Sequence, residues 1–300
     1  MNDYHVSVLL KEAIELLQVK KNGKYIDATL GGGGHTRAVL ENGGLVLGID
    51  LDQEALYFIN QNQISNIKNQ KLILTQGNFK DIARIARLNR FEKVDGIIYD
   101  VGVSSHQIDS GERGFSYLKN GPLDMRMDKE NAVKASDLIN ILTKGDLYEL
   151  FSRLGQERRA RVISDRIVRA RGIKAIQTTE ELLEVIKDAY GLKTKTLSPF
   201  IKAAISKRVF QALRMAVNSE LENLKESLPQ AIDLLEKGGR IVTITFHSLE
   251  DRIVKHSFLE FEKNKQGKII TKKPMIPNEE EIRNNRRSAS AKLRVFEKLI

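Results

Sequence analysis

Four consecutive glycines, Gly31 to Gly34, constrain this chain more than any other feature. They follow a short apolar stretch, residues 25–29, and precede a helix-forming segment that begins at Thr36. A strand that passes through a glycine-rich turn into a helix is the first unit of many nucleotide-binding α/β folds. Glycine permits positive φ angles and lets a ligand approach the backbone at the N-terminus of the helix. The glycine run therefore predicts an α/β domain with a cofactor site at this turn.

The spacing around the glycines limits which cofactor fits. A dinucleotide fingerprint needs a third glycine where this chain has Thr36, and no Gly-Lys-Ser/Thr follows, as a P-loop requires. The second apolar run ends in Asp50, 23 residues after Asp27, and an acid at the end of a second strand binds ribose hydroxyls. A cofactor with a ribose and no phosphate satisfies both observations, and S-adenosylmethionine is a common one.

Short apolar runs alternate with helical stretches over the first hundred residues. Strands are predicted at residues 25–29, 45–50, 71–76 and 94–100. This alternation is typical of a doubly wound parallel sheet, in which ligands bind at the carboxyl ends of the strands. Asp50, Phe79 and Asp100 each follow such an end.

The alternation then stops, because no strand-like run occurs between Ser104 and Gly239. Residues 111–128 are rich in loop formers and too long for an ordinary connection, which favours a functional loop. Several helices follow, and the last of them is predicted to run from Ser198 to Leu228, where Pro229 interrupts it. Strands return at residues 239–246, 267–271 and 292–296, with a polar loop at 274–290.

The fold class predicted is α/β, with a doubly wound sheet and an inserted all-helical domain. Residues 1–108 and 216–300 would form the discontinuous cofactor domain. Residues 109–215 would form the insertion, a candidate substrate domain.

The positive charge of the chain is concentrated in two segments. The net charge is +10, yet residues 151–215 carry 15 Lys and Arg against 6 Asp and Glu, a net +9. Residues 262–300 carry 11 against 5, a net +6, so the remainder is mildly acidic. Clustered Lys and Arg indicate a polyanionic partner, although solvated helix faces give the same pattern.

Other features of the composition restrict the class of protein. The chain has no cysteine, which excludes disulfides and thiolate metal sites and favours a reducing compartment. No apolar run approaches membrane-spanning length, and the N-terminus lacks a secretory leader pattern. We expect a soluble, cytoplasmic protein without a metal site, and a homodimer remains open.

Six motifs occur in one order: Asp27-Ala-Thr-Leu-Gly-Gly-Gly-Gly-His35, Asp100-Val-Gly-Val-Ser-Ser105, Arg113-Gly-Phe-Ser116, Gly121-Pro-Leu-Asp-Met-Arg-Met-Asp128, Phe210-Gln-Ala-Leu-Arg214 with Val217-Asn-Ser-Glu220, and Phe246-His-Ser-Leu-Glu-Asp-Arg-Ile-Val254. Together they resemble the bacterial 16S ribosomal RNA cytosine-N4 methyltransferases of the RsmH (MraW) family. The resemblance extends from His5 to Arg294.

The resemblance implies a class I methyltransferase sheet with S-adenosylmethionine as methyl donor. It also implies N4-methylation of cytidine 1402 in the decoding region of 16S rRNA, within the small ribosomal subunit. The family's cofactor contacts fall here on Gly33, Gly34, His35, Asp50, Phe79, Asp100 and Gln107. Departures from the usual family residues occur at His106, at Asn120 and at residues 204–206, which leaves the finer substrate contacts open.

The chemistry of methyl transfer suggests which residues act on the substrate. An in-line displacement at a sulfonium needs positioning more than acid–base help, and acceptors that hold the hydrogens of the cytosine amine would direct its lone pair. Carbonyls after Asp100, with Ser104 and Ser105, are candidates for this role. Asp100 is equally well explained as a cofactor-binding or loop-capping residue.

Further candidates come from the later motifs. Asp124 and His247 are candidates for handling the target base, and helix capping explains them nearly as well. On the long helix, Arg208, Gln211 and Arg214 share one face by three- and four-residue spacing. That face would line an RNA cleft, or else form an internal seam of ion pairs and hydrogen bonds.

Three other functions remain as alternatives to an rRNA methyltransferase. One is a methyltransferase for a small metabolite, which the basic insertion disfavours. Another is a non-catalytic RNA-binding or assembly protein with a relict cofactor fold, which the intact Gly33, Asp50 and Asp100 set disfavours. The last is an NAD-dependent oxidoreductase, which the missing third glycine disfavours.

Overall fold

The computed structural model describes residues 7–61, 71–104, 107–108, 110–194 and 196–300. The chain divides into two compact units. The first unit comprises Met1–Ser104 and Leu221–Ile300, and the second comprises Ser105–Glu220. Within the described ranges, no helix is long and apolar enough to cross a membrane.

The first unit is built on a seven-stranded sheet with helices between its strands. Its elements in chain order are α1 (Leu10–Leu17), β1 (Lys24–Asp27), α2 (Gly34–Glu41), β2 (Leu45–Asp50), α3 (Gln53–Gln61), β3 (Leu72–Gln76), a 3₁₀ turn (Phe79–Asp81), α4 (Ile82–Leu88) and β4 (Val94–Asp100).

After the second unit, the chain returns to the sheet. The returning elements are α10 (Glu220–Leu234), β5 (Leu235–Thr245), α11 (Ser248–Lys263), β6 (Gly267–Ile269), α12 (Glu279–Asn284), a 3₁₀ turn (Arg286–Ser290) and β7 (Lys292–Lys298).

The strand order is β3-β2-β1-β4-β5-β7-β6. The first five strands in this order are parallel, whereas β7 is antiparallel to both β5 and β6. The predicted α/β fold with a doubly wound sheet is thus confirmed, and the two strands predicted at 267–271 and 292–296 form an antiparallel pair at its end. Helices between parallel strands cover both faces of the sheet, which explains why the central strands read as continuous apolar runs.

Alternate residues of each strand pack into two separate cores. Tyr25, Val46 and Ile98 belong to one core, whereas Ile26, Leu47 and Ile97 belong to the other. The pairing register then aligns the strand ends: Asp27 is paired with Ile98, Asp50 with Gln76, and Asp100 with Ile244. Residues that follow β1 to β5 therefore meet along one edge of the sheet.

The second unit is helical in its described residues. Its helices are α5 (Ala135–Ile141), α6 (Lys144–Arg153), α7 (Ala160–Arg171), α8 (Thr179–Ala189) and α9 (Pro199–Asn218), preceded by a 3₁₀ turn (Gly111–Arg113). Side chains cap three of these helices: Thr143, Thr178 and Ser198 accept backbone N–H groups of the first turn of α6, α8 and α9. The loop at 111–134 precedes α5.

The predicted single helix from Ser198 to Leu228 is wrong. The helix ends at Asn218, because Ser219 adopts a left-handed conformation with φ +49°, and a new helix begins at Glu220. Pro229 lies inside that second helix rather than at a break. A left-handed serine gives no signal in the sequence, whereas proline gives a strong one, so the break was expected ten residues too late.

The predicted loop at 274–290 is also wrong in part, because it contains α12 and a 3₁₀ turn. Asn278 caps α12 by accepting the N–H of Glu281. The carboxylate of Glu281 in turn accepts the N–H of Leu9 at 2.7 Å. A polar composition concealed a short capped helix that holds the beginning of α1.

Candidate functional site

The glycine turn after β1 requires glycine for two different reasons. Gly31 and Gly33 have φ angles of +49° and +72°, which disfavour residues with a side chain. Gly34 has no such angle, but a Cβ at this position would collide with the hydroxyl of Ser7. Ser7 therefore packs against the turn, and α2 starts directly at the bend.

Asp50 fixes this turn from the end of β2. One carboxylate oxygen accepts the N–H of Gly31 at 2.7 Å, and the other accepts the N–H of Asp52 at 2.8 Å. Burial raises the pKa of Asp50 to about 6, against the lowering effect of these two hydrogen bonds. Each oxygen retains a lone pair and the side chain is only half-buried. Asp50 can therefore accept hydroxyl groups, as a ribose diol requires.

Asp27 joins β1 to α2 beneath the turn. Its carboxylate accepts the Thr36 hydroxyl at 2.7 Å and, more weakly, the N–H of Thr29 at 3.3 Å. Burial raises the pKa of Asp27 to about 6. Asp27 was not among the predicted site residues, although it begins the first motif. The contact with Thr36 also explains why a threonine stands where dinucleotide-binding turns have a third glycine.

Asp100 ends β4 beside the same turn. Its N–H donates to the Thr29 hydroxyl at 2.6 Å. Burial, together with the negative charges of Asp27 and Glu250, raises the pKa of Asp100 to about 8. The carboxyl group is therefore largely protonated at neutral pH, and it can donate one hydrogen bond as well as accept others.

His35 lies between Asp100 and the N-terminal segment. One ring nitrogen is 3.7 Å from the Asp100 carboxylate, and the other is 3.3 Å from the carbonyl oxygen of Val8. The side chain is buried. His35 thus connects three parts of the site: the glycine turn, the end of β4 and the segment that covers Gly34.

Phe79 follows β3 and is half-buried. Its ring packs edge-on against Tyr99, with ring centroids 5.8 Å apart. The Tyr99 hydroxyl lies 2.6 Å from the hydroxyl of Ser227, which donates to the carbonyl oxygen of Phe79 at 2.8 Å. The predicted residue is therefore held at both ring and backbone, by Tyr99 and Ser227, which the sequence did not indicate. The exposed part of the ring offers an apolar surface at the same edge as Asp50.

His247 follows β5 and caps α11. Its Nδ1 accepts the N–H of Glu250 at 3.3 Å, and Glu250 accepts the N–H groups of Phe246 and His247. The other ring nitrogen lies 2.9 Å from a Glu250 carboxylate oxygen. That contact is close, but its geometry does not meet hydrogen-bond criteria. The capping role weighed for His247 is therefore present, and a role toward a target base stays a prediction.

The turn after β4 is described only in part. Gly102 has a φ angle of +131°, and Ser104 is half-buried. Ser105 and His106, which belong to the same motif, lie outside the described residues. The prediction that this turn holds an amine through its carbonyls and serines stays open.

Two predicted site residues in the second unit are buried to different degrees. Gln107 is buried. Asp124 is half-buried and is bound by Arg126, whose guanidinium donates to both carboxylate oxygens at 2.8 and 2.9 Å. Burial opposes ionisation of Asp124, but these bonds to Arg126 outweigh it and hold the pKa below its usual value. A carboxylate paired in this way is a poor general base at neutral pH.

The loop that contains Asp124 is fixed at several points. Arg113 is buried and donates to the carbonyl oxygens of Arg126 and Met127 at 3.0 Å each. Asn218, at the end of α9, donates to the Met125 carbonyl and accepts the N–H of Met127, both at 2.8 Å. The length of this loop predicted a function, and the structure shows an ordered loop rather than an open connection.

The two ends of the predicted RNA-binding face of α9 have different surroundings. Arg214 forms a bidentate ion pair with Glu220, at 2.7 and 2.8 Å. Gln211 is half-buried, and Arg208 is exposed. The end near Arg214 therefore forms the internal seam that was the alternative reading, whereas the part near Arg208 faces solvent.

The predicted residues thus fall into two groups. Gly33, Gly34, His35, Asp50, Phe79, Asp100 and His247 gather at the carboxyl edge of the sheet in the first unit, and Gln107, Asp124, Arg208, Gln211 and Arg214 belong to the second. The first group combines a glycine turn at the start of a helix, a ribose-type acceptor and an aromatic face. This combination fits an adenosine-containing cofactor.

Comparisons with known proteins cover the whole chain. Residues 2–299 match the model of the MraW methylase family. Ribosomal RNA small subunit methyltransferase H from Oenococcus oeni is 44% identical, with 99% of each chain covered. The proteins of the same name from Halothermothrix orenii and Clostridioides difficile are 42% and 40% identical, with 99% and 100% of each chain covered.

Proposed function

Because the chain belongs to the MraW methylase family, we propose that it methylates N4 of a cytidine, position 1402, in the decoding region of 16S rRNA. S-adenosylmethionine is the methyl donor. The substrate is the small ribosomal subunit or its RNA, and the reaction takes place in the cytoplasm. The relatives' names support an rRNA substrate. The assignment of the cytosine, of its N4 atom and of the decoding region depends on the sequence motifs.

The observation that carries the cofactor assignment is the pairing of Asp50 with the glycine turn. The carboxylate orders the turn through Gly31 and still has lone pairs for a ribose diol. Gly33 and Gly34 bring the backbone within reach of a ligand, and the half-buried Phe79 offers a face for adenine. The turn has Thr36 where the dinucleotide fingerprint has its third glycine, which disfavours a cofactor with a diphosphate.

When bound, S-adenosylmethionine supplies an electrophilic methyl group on a sulfonium. Asp50, the glycine turn and Phe79 would hold this cofactor, and the cytosine amine would accept the methyl group and lose one proton. The protein's task is to hold the nitrogen in line with the carbon–sulfur bond. β4 is the neighbour of β1 in the sheet. Asp100 and the carbonyls of the turn after β4 therefore lie at the strand end next to the glycine turn.

Asp100 suits the orientation of an amine better than the removal of a proton. With a pKa of about 8, its carboxyl group is mostly neutral at pH 7, and a neutral acid has an acceptor oxygen for an N–H. One of its carboxyl oxygens lies 3.7 Å from the ring of His35. The proton of the methylated amine then has no need of a strong base, because the nitrogen is acidic once it carries the methyl group.

The helical unit is the part we assign to RNA. Residues 151–215, which lie within it, carry a net charge of +9, and phosphate contacts depend on such clusters. A base in structured RNA must also leave its stack before its amine can react, which requires the backbone on either side to be held.

The test is methyl transfer to small ribosomal subunits that lack their decoding-site methylations. With labelled S-adenosylmethionine, we expect N4-methylcytidine at one decoding-region site in the nucleoside digest. Asp50→Ala should abolish transfer and weaken cofactor binding by at least tenfold in calorimetry. Glu92→Ala is the control, because it removes an exposed carboxylate of the first unit that precedes β4, at the opposite end of the strands from the glycine turn.

Two results would contradict the proposal. Methylation at another base or atom would retain the enzyme class and overturn the substrate. No transfer to subunits or free rRNA, by a folded protein that binds the cofactor, would favour the small-metabolite alternative. The salt dependence of substrate binding also distinguishes an RNA substrate from a small metabolite, because only a polyanionic substrate loses affinity steeply with added salt.

A further inference from the structure

Phe200 is the most exposed aromatic side chain in the described part of the chain. It occupies the second position of α9, and 82% of its surface is accessible. Ser198 caps the helix and Pro199 begins it, so the backbone beneath the ring is well ordered. A single exposed apolar residue is ordinary. Its surroundings on α9 distinguish this one.

The ring stands at one end of an exposed stripe along α9. Phe200, Ala204 and Lys207 are spaced by four and three residues, so they share a face, and all three are exposed. Arg208 is exposed beside them. One turn further along the helix Gln211 is half-buried, so the exposed face ends there. We refer to Phe200, Ala204, Lys207 and Arg208 as the α9 stripe.

The stripe lies in the longest acid-free part of the helical unit. No Asp or Glu occurs between Asp188 and Glu220, and this stretch contains six Lys and Arg. The helix itself contains Lys202, Lys207, Arg208 and Arg214. Only Arg214 among them is neutralised by a described carboxylate. The exposed ring is therefore surrounded by uncompensated positive charge.

We propose that Phe200 stacks on an unpaired base of the RNA substrate while Lys207 and Arg208 contact the adjoining phosphates. This rests on the proposed function only for the identity of the RNA. An exposed aromatic flanked by cations is the arrangement that binds single strands, because every base offers a π face and every nucleotide a charge. Lys207 lies about 10 Å from Phe200 along the helix axis.

A second copy of this chain is a poorer occupant. A symmetric contact would place the same stripe on both partners. Each copy of α9 carries no acid and, besides the paired Arg214, three positive charges, so the two helices would repel each other. The positive charge that would repel a second copy of the chain attracts a polyanion.

The chain contains no tryptophan, so Phe200→Trp introduces a unique fluorescent reporter on the stripe. We expect a single-stranded decoding-region RNA to quench this fluorescence, since bases quench a stacked indole. Inorganic polyphosphate, which has charge but no bases, should bind without that quenching. Ile173→Trp is the matched control, because Ile173 is 92% exposed in the same unit and lies off the stripe.

Affinity and catalysis give a second readout. Phe200→Ala should weaken RNA binding by about 5-fold to 100-fold, and Phe200→Tyr should restore most of it. Because the side chain is exposed, neither change should alter the melting temperature. Tyr57→Ala, at another exposed aromatic in the first unit, should leave RNA affinity unchanged. With subunits as substrate, Phe200→Ala should raise KM more than it lowers kcat.

The proposal is overturned if RNA binds the Phe200→Trp protein without quenching, or if Phe200→Ala binds RNA as the unchanged protein does. Fluorescence that depends on protein concentration without RNA would identify a second copy as the occupant, and would also overturn it. If RNA quenches the reporter but no methyl transfer to rRNA occurs, RNA binding by the α9 stripe is supported and the proposed function is contradicted. If methyl transfer occurs and RNA does not quench the fluorescence of the Phe200→Trp protein, only the proposal for the α9 stripe is contradicted.

Discussion

Three carboxylates at neighbouring strand ends share an unfavourable environment. Burial raises the pKa of Asp27 and of Asp50 to about 6, and that of Asp100 to about 8. Groups selected only for stability would be placed where folding favours their charged form. Residues with strongly shifted pKa values in a cleft are instead typical of functional sites. We therefore expect these three residues to contribute to binding at the expense of some stability.

Asp100→Asn tests this at one residue. In the folded protein the pKa of Asp100 is about 8, against 3.8 for an ordinary aspartate. A raised pKa contributes stability that is fully present below pH 4 and is lost as the pH rises towards 8. Asparagine has no charge to bury, so the variant should gain stability relative to the unchanged protein as the pH rises. The gain should be roughly 2–3 kcal/mol larger at pH 8.5 than at pH 5.5.

Urea unfolding at pH 5.5, 7.0 and 8.5 measures this difference. Methyl transfer at pH 7 should be largely retained, because asparagine and a neutral carboxyl group both present a carbonyl acceptor and a donor. The control is Asp165→Asn, since Asp165 is a surface residue whose pKa its hydrogen bond to Lys144 lowers. A gain for Asp100→Asn that does not change with pH would show that Asp100 is not held neutral by its surroundings.

At the scale of elements, the loop at 111–134 depends on the end of α9. The amide of Asn218 makes two contacts with it, to Met125 and Met127, and a third with the Arg214 carbonyl within the helix. Met125 is buried and has a φ angle of +62°, a conformation that these contacts stabilise. The loop is therefore ordered by the helix that also carries the α9 stripe.

Asn218→Ala should release this loop. The loss of three hydrogen bonds at a buried site should lower the free energy of unfolding by about 2–4 kcal/mol. Hydrogen exchange of the Met127 amide, which Asn218 protects, should accelerate more than that of the α8 amides. Asn42→Ala, which removes one exposed side-chain bond to the Ala38 carbonyl, is the matched control. Equal acceleration throughout the unit would show that Asn218 supports overall folding and has no particular link to the loop.

The break between α9 and α10 leads to another prediction. Ser219 has a φ angle of +49°, is exposed and donates its N–H to the Met215 carbonyl. Glycine adopts this conformation without the cost of a Cβ, which is about 1 kcal/mol. Ser219→Gly should therefore stabilise the protein by about 0.5–1 kcal/mol in urea unfolding, and Ser219→Ala should not. Destabilisation by glycine would mean that the serine side chain holds the break.

Over the whole molecule, the sequence predicted what local rules determine. The glycine turn, the acids at strand ends and the helix caps each depend on a few adjacent residues, and they place Gly33, Asp50 and Asp100 at one edge of the sheet. Tyr99 and Ser227 were missed because their contact with Phe79 joins distant segments. The left-handed Ser219 was missed because nothing local requires it. The partners of Asp124 and Arg214 were likewise invisible until the fold brought Arg126 and Glu220 beside them.

Charge is the property of the whole molecule that remains to be tested. Both the helical unit and residues 262–300 are basic, and the sequence alone does not tell which of them contacts RNA. For single-stranded nucleic acid, each phosphate contact contributes about 0.7 to the slope of log affinity against log salt. Lys207→Gln with Arg208→Gln should therefore reduce the slope for a decoding-region RNA by about 1.4. Fluorescence anisotropy at several salt concentrations measures it.

The pair Lys272→Gln with Lys273→Gln provides the comparison, because both lysines are exposed and removal of either pair changes the net charge equally. A general electrostatic attraction depends on net charge, so it would lower both slopes by the same amount. A bound RNA strand releases counterions only where it touches the protein, so it would lower the slope for the α9 pair alone. If the change occurs only with Lys272 and Lys273, the RNA lies on the first unit, and the assignment of the helical unit to RNA is wrong.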